Sequence, residues 1–184
     1  MDKTLIINVA FNLIIDNGLE GFSIAKLANE LECTKSSIYN CFKSKDDLLN
    51  QIFIEKTKLL AFDIKAEDDP EKVIRQYAHN CINNREVFTF FHKYSHSNFV
   101  NKETMCEIKK EMKMAMNVSK KLIADIAHED VNPIIIESLV FGPIHGLVMR
   151  MRNQEDIEIS EKDIDDLVDF ILVTIRKEMY ERNN

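Results

Sequence analysis

An all-α fold of about nine helices is predicted by three observations. The 184-residue chain holds only four glycines and three prolines, too few turn formers for a sandwich or a barrel. Apolar residues recur three and four positions apart, the spacing that lines one side of a helix. Capping signatures, in which a hydroxyl, amide or acid side chain precedes a helical run, recur along the chain.

The elements follow in order. A first helix over roughly Thr4 to Asn17 turns Leu5/Ile6, Val9/Ala10 and Leu13/Ile14 inward and ends at Gly18, a left-handed stop. Ser23 caps a second helix with Ile24, Leu27, Ala28 and Leu31 on one face, and Thr34 caps a very short third one that runs through Asn40 over the apolar anchor Ile38. About three residues, Leu31 to Cys33, join the two. Ser44-Lys45-Asp46-Asp47 is a capping box for a fourth helix with Leu48, Leu49, Ile52, Phe53 and Leu59 inward, to about Asp63. Asp69-Pro70 opens a fifth, to about Ile82. Glu86 to about His96 is dense in aromatics, and Lys102 to about Ala127 is rich in methionine. Asn132-Pro133 opens a helix to about Arg152, and Ser160-Glu161-Lys162-Asp163 boxes the last one. Two domains are expected, 1–44 and 45–184, with the fourth helix as the link.

Charge sharpens this division. The net charge is −7, yet residues 1–45 hold Lys3, Lys26, Lys35, Lys43 and Lys45 against Asp2, Asp16, Glu20, Glu30 and Glu32 and are neutral. Cys33 to Lys45 contains three lysines and no acid, a modest basic patch in an acidic chain. The cysteines Cys33, Cys41, Cys81 and Cys106 form no CxxC; with no signal peptide and no membrane-length apolar run, a cytoplasmic protein with free thiols is expected. Nucleophile elbow, phosphate loop, HExxH and paired-carboxylate motifs are all missing, so no enzyme and no cofactor are expected.

Two short capped helices across a tight turn, followed at once by a third, make a helix-turn-helix. The coordinated positions are Phe11 and Gly18, then Gly21-Phe22-Ser23 before Ile24-Ala25, Leu27-Ala28, Thr34, Ile38-Tyr39, Phe42, and Lys45 with Leu48. Over about residues 4–50 they resemble the N-terminal domain of the TetR family of bacterial transcriptional regulators. The chain has Leu31-Glu32-Cys33 where that family often has Ala-Gly-Val, Ser36 where a glycine is common, and Cys41 where a histidine is common. The resemblance implies a homodimer that binds a palindromic double-stranded DNA operator, usually represses, and is released by a small-molecule effector in the rear domain. Two half-sites at fixed spacing suit a helix that reads only a few base pairs.

On the short helix Lys35, Ser36, Ser37 and Asn40 are the candidates for base and phosphate contact, behind the Thr34 cap. Tyr39 can give its hydroxyl to a phosphate, Lys45 and the amides opening the fourth helix form a phosphate site, and Lys43 adds nonspecific attraction. In the rear domain Phe88, Phe91, Tyr94, Phe99, Met105 and Met112 suit the lining of a pocket for a largely apolar effector, and equally a plain core. Leu139, Gly142, Gly146 and Met149 on one helix and Leu167, Ile171 and Ile175 on the last form stripes that suit a dimer face or an intrachain core. His92 and His96 have metal-chelating spacing but no third ligand. The other reading of the whole is a helical interaction module that kept the fold without operator binding.

Overall fold

The structure, a computed structural model, describes residues 2–60, 69–110, 132–153 and 158–182. Among the described residues there are nine helical stretches and no strand, so the fold is all-α. They are α1 (Lys3–Gly21), α2 (Ile24–Glu30), α3 (Lys35–Tyr39), α4 (Lys45–Thr57), α5 (Pro70–Asn83), α6 (Arg85–Tyr94), α7 (described over 102–110), α8 (Pro133–Asn153) and α9 (Glu161–Arg182). Residues 1–58 with 90–108 form one compact unit, and 59–89 with 109–184 form the other.

Side-chain caps start the helices where the sequence places them. Ser23, Thr34 and Ser44 accept from the backbone N–H of Lys26, Ser37 and Asp47 at 3.2, 3.2 and 3.0 Å, each cap contributing about 1 kcal/mol. At α9 the box is reciprocal: Ser160 N–H donates to Asp163 at 2.9 Å and Asp163 N–H to Ser160 at 3.2 Å. At α4 the returning carboxylate of Asp47 accepts instead from Lys43 N–H, at 2.7 Å. Gly18 interrupts α1 with φ 72° and ψ 167°, a conformation open only to glycine, and one further turn follows it. Helix α4 ends at Thr57, short of the expected Asp63, its last turn holding a Thr57 hydroxyl that donates to Phe53 O at 2.6 Å. Leu59, expected inward, therefore falls outside the helical register and is 48% exposed.

The front unit closes around aromatic rings. Phe53, fully buried, meets Phe90 at 5.5 Å, Phe91 at 5.4 Å and Phe99 at 6.3 Å between centroids. Phe90 also meets Phe11 edge-on at 5.3 Å and Tyr94 at 5.2 Å, geometries favourable to the ring quadrupoles. The Tyr94 hydroxyl accepts from Leu19 N–H at 3.2 Å, one residue past the Gly18 break. One polar side chain sits at the centre of this packing. Asn50 donates to Asp46 O and Phe99 O, both at 2.7 Å, and accepts from Thr104 Oγ1 at 2.7 Å and Asn101 N–H at 3.2 Å. Its amide is fully satisfied and fastens residues 99–104 to α4.

The rear unit is built on α5, α8 and α9, which pack on one another. Val73, Ile74 and Ala78 of α5, Val140, Ile144 and Val148 of α8 and Ile164, Val168 and Leu172 of α9 are buried, an aliphatic core at helical spacing. Arg75 and His79 of α5 engage α9: Arg75 pairs with Asp169 and Asp165, and His79 lies 3.0 Å from Asp165. The Asp169 hydrogen bond raises the Arg75 pKa, and the His79 hydrogen bond holds Asp165 below its ordinary value.

Candidate nucleic-acid interface

Helix α3 is five residues long and held from beneath. Its anchor Ile38 is fully buried with Leu27 and Phe42 nearly or wholly so, while Thr34, Lys35, Ser36, Tyr39 and Asn40 are exposed. Apolar residues thus fix the helix and leave its polar side outward, the geometry of a probe for a DNA groove. Ser37 is half-buried and its hydroxyl pairs with that of Thr34 at 2.9 Å, so its polar group serves the cap. The turn before α3 is closed by Cys33 N–H donating to Ala28 O at 2.9 Å and passes through Glu32 at φ 49°. Glu32 is the one non-glycine residue with positive φ among those described, and it stands where the resembling family favours glycine.

The lysines divide by what holds them. Lys45 donates to Phe22 O at 3.0 Å with its ammonium 5.4 Å from that ring's centroid, which leaves two of its three protons available. Lys26 donates to Gly21 O at 2.8 Å and Lys56 to Asn8 at 2.7 Å. Lys35 and Lys43 are exposed, with no hydrogen bond from either ammonium among the described residues. Burial pushes the Asp47 carboxyl upward, but hydrogen bonds from Gln51 and the Lys43 N–H, with the charges of Lys43 and Lys3, leave it below its ordinary value. Helix α4 begins at Lys45, so its first amides lack intrahelical acceptors and its dipole favours an anion.

The effector candidates that are described fall in both units. Phe91, Tyr94 and Phe99 belong to the front unit's ring cluster, and Met105 of the same unit is half-buried. Phe88 lies in the rear unit, buried, with its ring 4.9 Å from that of His145. Met112 lies outside the described residues. Beside Phe88 is a polar pair that the sequence did not suggest: Tyr77 Oη and His145 Nε2 are 2.7 Å apart. Burial, with Cys81 nearby, raises the Tyr77 pKa, and burial pushes the Cys81 thiol up to about 12 against a downward pull from its Tyr77 hydrogen bond. A groove of about 790 Å³ lined by Ile82 to Val87, Met151, Glu158 and Ile159 also opens in the rear unit, and none of the five described candidates lines it. None of the four cysteines is in a disulfide, and no group of three metal-ligating side chains occurs among the described residues.

The candidates for a dimer face split in an informative way. On α8 Leu139 is 55% exposed, Met149 is exposed, and an added Cβ at Gly142 or Gly146 would meet nothing within 4 Å among the described residues. Pro143 stands between these glycines inside the helix and removes the N–H that would reach Leu139 O. On α9 Ile171 is buried within its own chain and Leu167 is half-buried; the side chain of Ile175 lies outside the described residues. Among the described side chains of α9 the large outward apolar ones are Phe170 and Val173, which the sequence pattern does not single out. A three-residue step from Phe170 to Val173 was the available signal, masked by the stronger inward stripe of Ile164, Val168 and Ile171.

This arrangement defines a class: helix-turn-helix proteins with a longer helical rear half. Residues 6–52 match the family model for bacterial regulatory proteins of the tetR family. The solved structure of a TetR family transcription regulator from Marinobacter aquaeolei VT8 superposes with a TM-score of 0.74 at 18% identity, over 92% of each chain. FadR from Bacillus subtilis in complex with stearoyl-CoA gives 0.64 at 20% identity over 95% of this chain and 97% of that one. AibR in complex with isovaleryl coenzyme A and operator DNA gives 0.68 at 18% identity over 90% and 95%. No curated protein sequence matches the chain. Residues 6–52 thus match the TetR family of bacterial transcriptional regulators, and the fold is similar to that of solved TetR family regulators over nine-tenths of the chain.

Proposed function

We propose that this protein is a homodimeric, ligand-responsive repressor that binds a palindromic double-stranded DNA operator in the cytoplasm and leaves it when a small, largely apolar effector binds. Residues 1–44 read DNA and residues 45–184 bind effector and dimerise. The observation that carries this reading is α3 itself: a capped helix pinned by buried Ile38, with Lys35, Ser36, Tyr39 and Asn40 exposed and Lys43 and the Lys45 start of α4 following in the chain. Lys35, Ser36 and Asn40 contact bases and phosphates; Tyr39, Lys43 and Lys45 contact phosphates; Thr34 and Ser37 hold the helix in shape. Each subunit reads one half-site.

The second subunit joins through α8 and α9. Leu139, Gly142, Gly146 and Met149 meet the partner with Phe170 and Val173, while Leu167 and Ile171 back them from within the chain. Apolar acyl chains, supplied as their CoA thioesters, are the first effectors to try, because two of the similar structures were solved with acyl-CoA bound. The effector acts by binding one spacing of the recognition helices more tightly than the other; reversing a 1:99 equilibrium to 99:1 takes a preference of about 10⁴-fold. Selection from random duplex DNA with the purified protein tests the core of the reading. An enriched palindrome bound by a dimer is the expected result, and failure to enrich any motif at low salt favours the interaction module instead.

A further inference from the structure

The lysines of the stretch from residue 1 to 58 differ in what their ammonium groups do. Those of Lys26, Lys45, Lys56 and Lys58 are hydrogen-bonded to Gly21 O, Phe22 O, Asn8 and Glu55. Lys3, Lys35 and Lys43 make no ammonium hydrogen bond among the described residues, and all three are exposed. Two of these belong to the DNA-facing set already described. The third is far away in sequence but close in space: Lys3 holds its ammonium 5.6 Å from the centroid of the Phe42 ring, directly before Lys43 in the chain.

Lys3 thus stands at the outgoing end of the recognition segment, beside the start of α4. The lowered pKa of Asp47, the third residue of α4, agrees: both Lys43 and Lys3 act on it. A contact with the ring face positions a cation without neutralising it and leaves its three protons for another acceptor. Lys3 also opens α1, whose N-terminus is capped by the Asp2 carboxylate accepting from Thr4 N–H at 3.0 Å.

We propose that Lys3 is a phosphate-backbone contact, and that with Lys43 and Lys45 it forms a three-lysine cradle for one DNA strand at the start of α4. This rests on the DNA-binding reading above and adds to it a residue from outside the helix-turn-helix. Asp47 sits within the cradle with its carboxylate already committed to Lys43 N–H and Gln51, so it tempers the field without closing it. Because the contact is to phosphate, it adds affinity equally at every sequence.

The test needs no knowledge of the operator. Binding of wild-type, K3Q, K3R and K58Q proteins to a random-sequence 30-base-pair duplex is measured by fluorescence anisotropy across a series of NaCl concentrations, with thermal melting of each variant as a check on the fold. K3Q is expected to bind several-fold more weakly and to lower the log–log salt slope by about one per bound subunit. K3R is expected to match wild type, and K58Q to leave the slope unchanged. K3M, which keeps the apolar stem over Phe42, repeats the K3Q result if that variant melts early. A K3Q slope equal to wild type, or an equal loss in K58Q, overturns the role of Lys3 while leaving the regulator reading standing. Wild-type protein that binds no duplex at low salt overturns both.

Discussion

Two phenylalanines show how differently the two units are finished. Phe53 is completely buried in the front unit, ringed by Phe90, Phe91 and Phe99. Phe170 in the rear unit is 71% exposed, with Val173 at 62% on the same helix and Leu139 at 55% on α8. Among the described residues up to Lys58 the outward large apolar side chains are Leu5 and Tyr39, isolated residues of a kind any surface tolerates. The front unit satisfies its own apolar surface. The rear unit carries a surplus on two neighbouring helices, and such a surplus is the mark of a surface meant to be covered.

The comparison breaks or holds on matched substitutions. Phe53→Ala is expected to cost about 3–5 kcal/mol of stability, the same at every protein concentration, because it empties a closed core. Phe170→Glu is expected to leave the melting of dilute protein nearly unchanged yet raise the dimer dissociation constant by about 100-fold or more, as loss of an interface anchor does. Sedimentation equilibrium with thermal melting at two concentrations separates these outcomes. If Phe170→Glu melts as early as Phe53→Ala at high dilution, Phe170 belongs to a core and the contrast between the units is lost.

A pair of asparagines sharpens the same contrast at lower energy. Asn50 in the front unit is 6% exposed and makes four hydrogen bonds. Asn80 in the rear is half-exposed and makes two, donating to Leu60 O at 2.9 Å and accepting from Asn84 Nδ2 at 2.7 Å. Asn50→Ala strands the Thr104 hydroxyl and the Phe99 carbonyl in a dry site and is expected to cost about 2–3 kcal/mol, whereas Asn80→Ala, open to water, is expected to cost about 1 or less. Urea denaturation of both variants measures the difference directly.

Legibility in the sequence followed the range of the interaction. Ser23, Thr34, Ser44 and Ser160 were readable because a cap and its amide lie three residues apart, and Gly18 because no other residue takes its φ and ψ. Lys3 beside Phe42 and Tyr94 beside Leu19 were not readable, since nothing in a linear pattern brings those pairs together. Nor was the outward side of α9: a helix apolar at Ile164, Leu167, Val168, Phe170, Ile171 and Val173 has two candidate stripes, and only packing on α5 and α8 decides which turns inward. The same limit applies to Ser37, whose position on α3 suits a base contact while its hydroxyl is taken by Thr34.

The smallest expected effect is at the turn that orients α3, and it separates backbone strain from charge. Glu32 holds φ 49°, a region that costs an L-residue about 1–2 kcal/mol relative to the ordinary helical one. Glycine has no such cost folded but gains more freedom unfolded, which returns about 0.5–1 kcal/mol of the gain. Glu32→Gly is therefore expected to stabilise the protein by up to about 1 kcal/mol. Glu32→Ala keeps a Cβ in the same backbone region and should show no such gain. Both variants remove one negative charge two residues before the Thr34 cap, so both should bind random duplex DNA slightly more tightly at low salt, with the advantage fading as salt screens it. Equal stabilisation by alanine and glycine would mean that the charge, and not the backbone, is what Glu32 costs the motif.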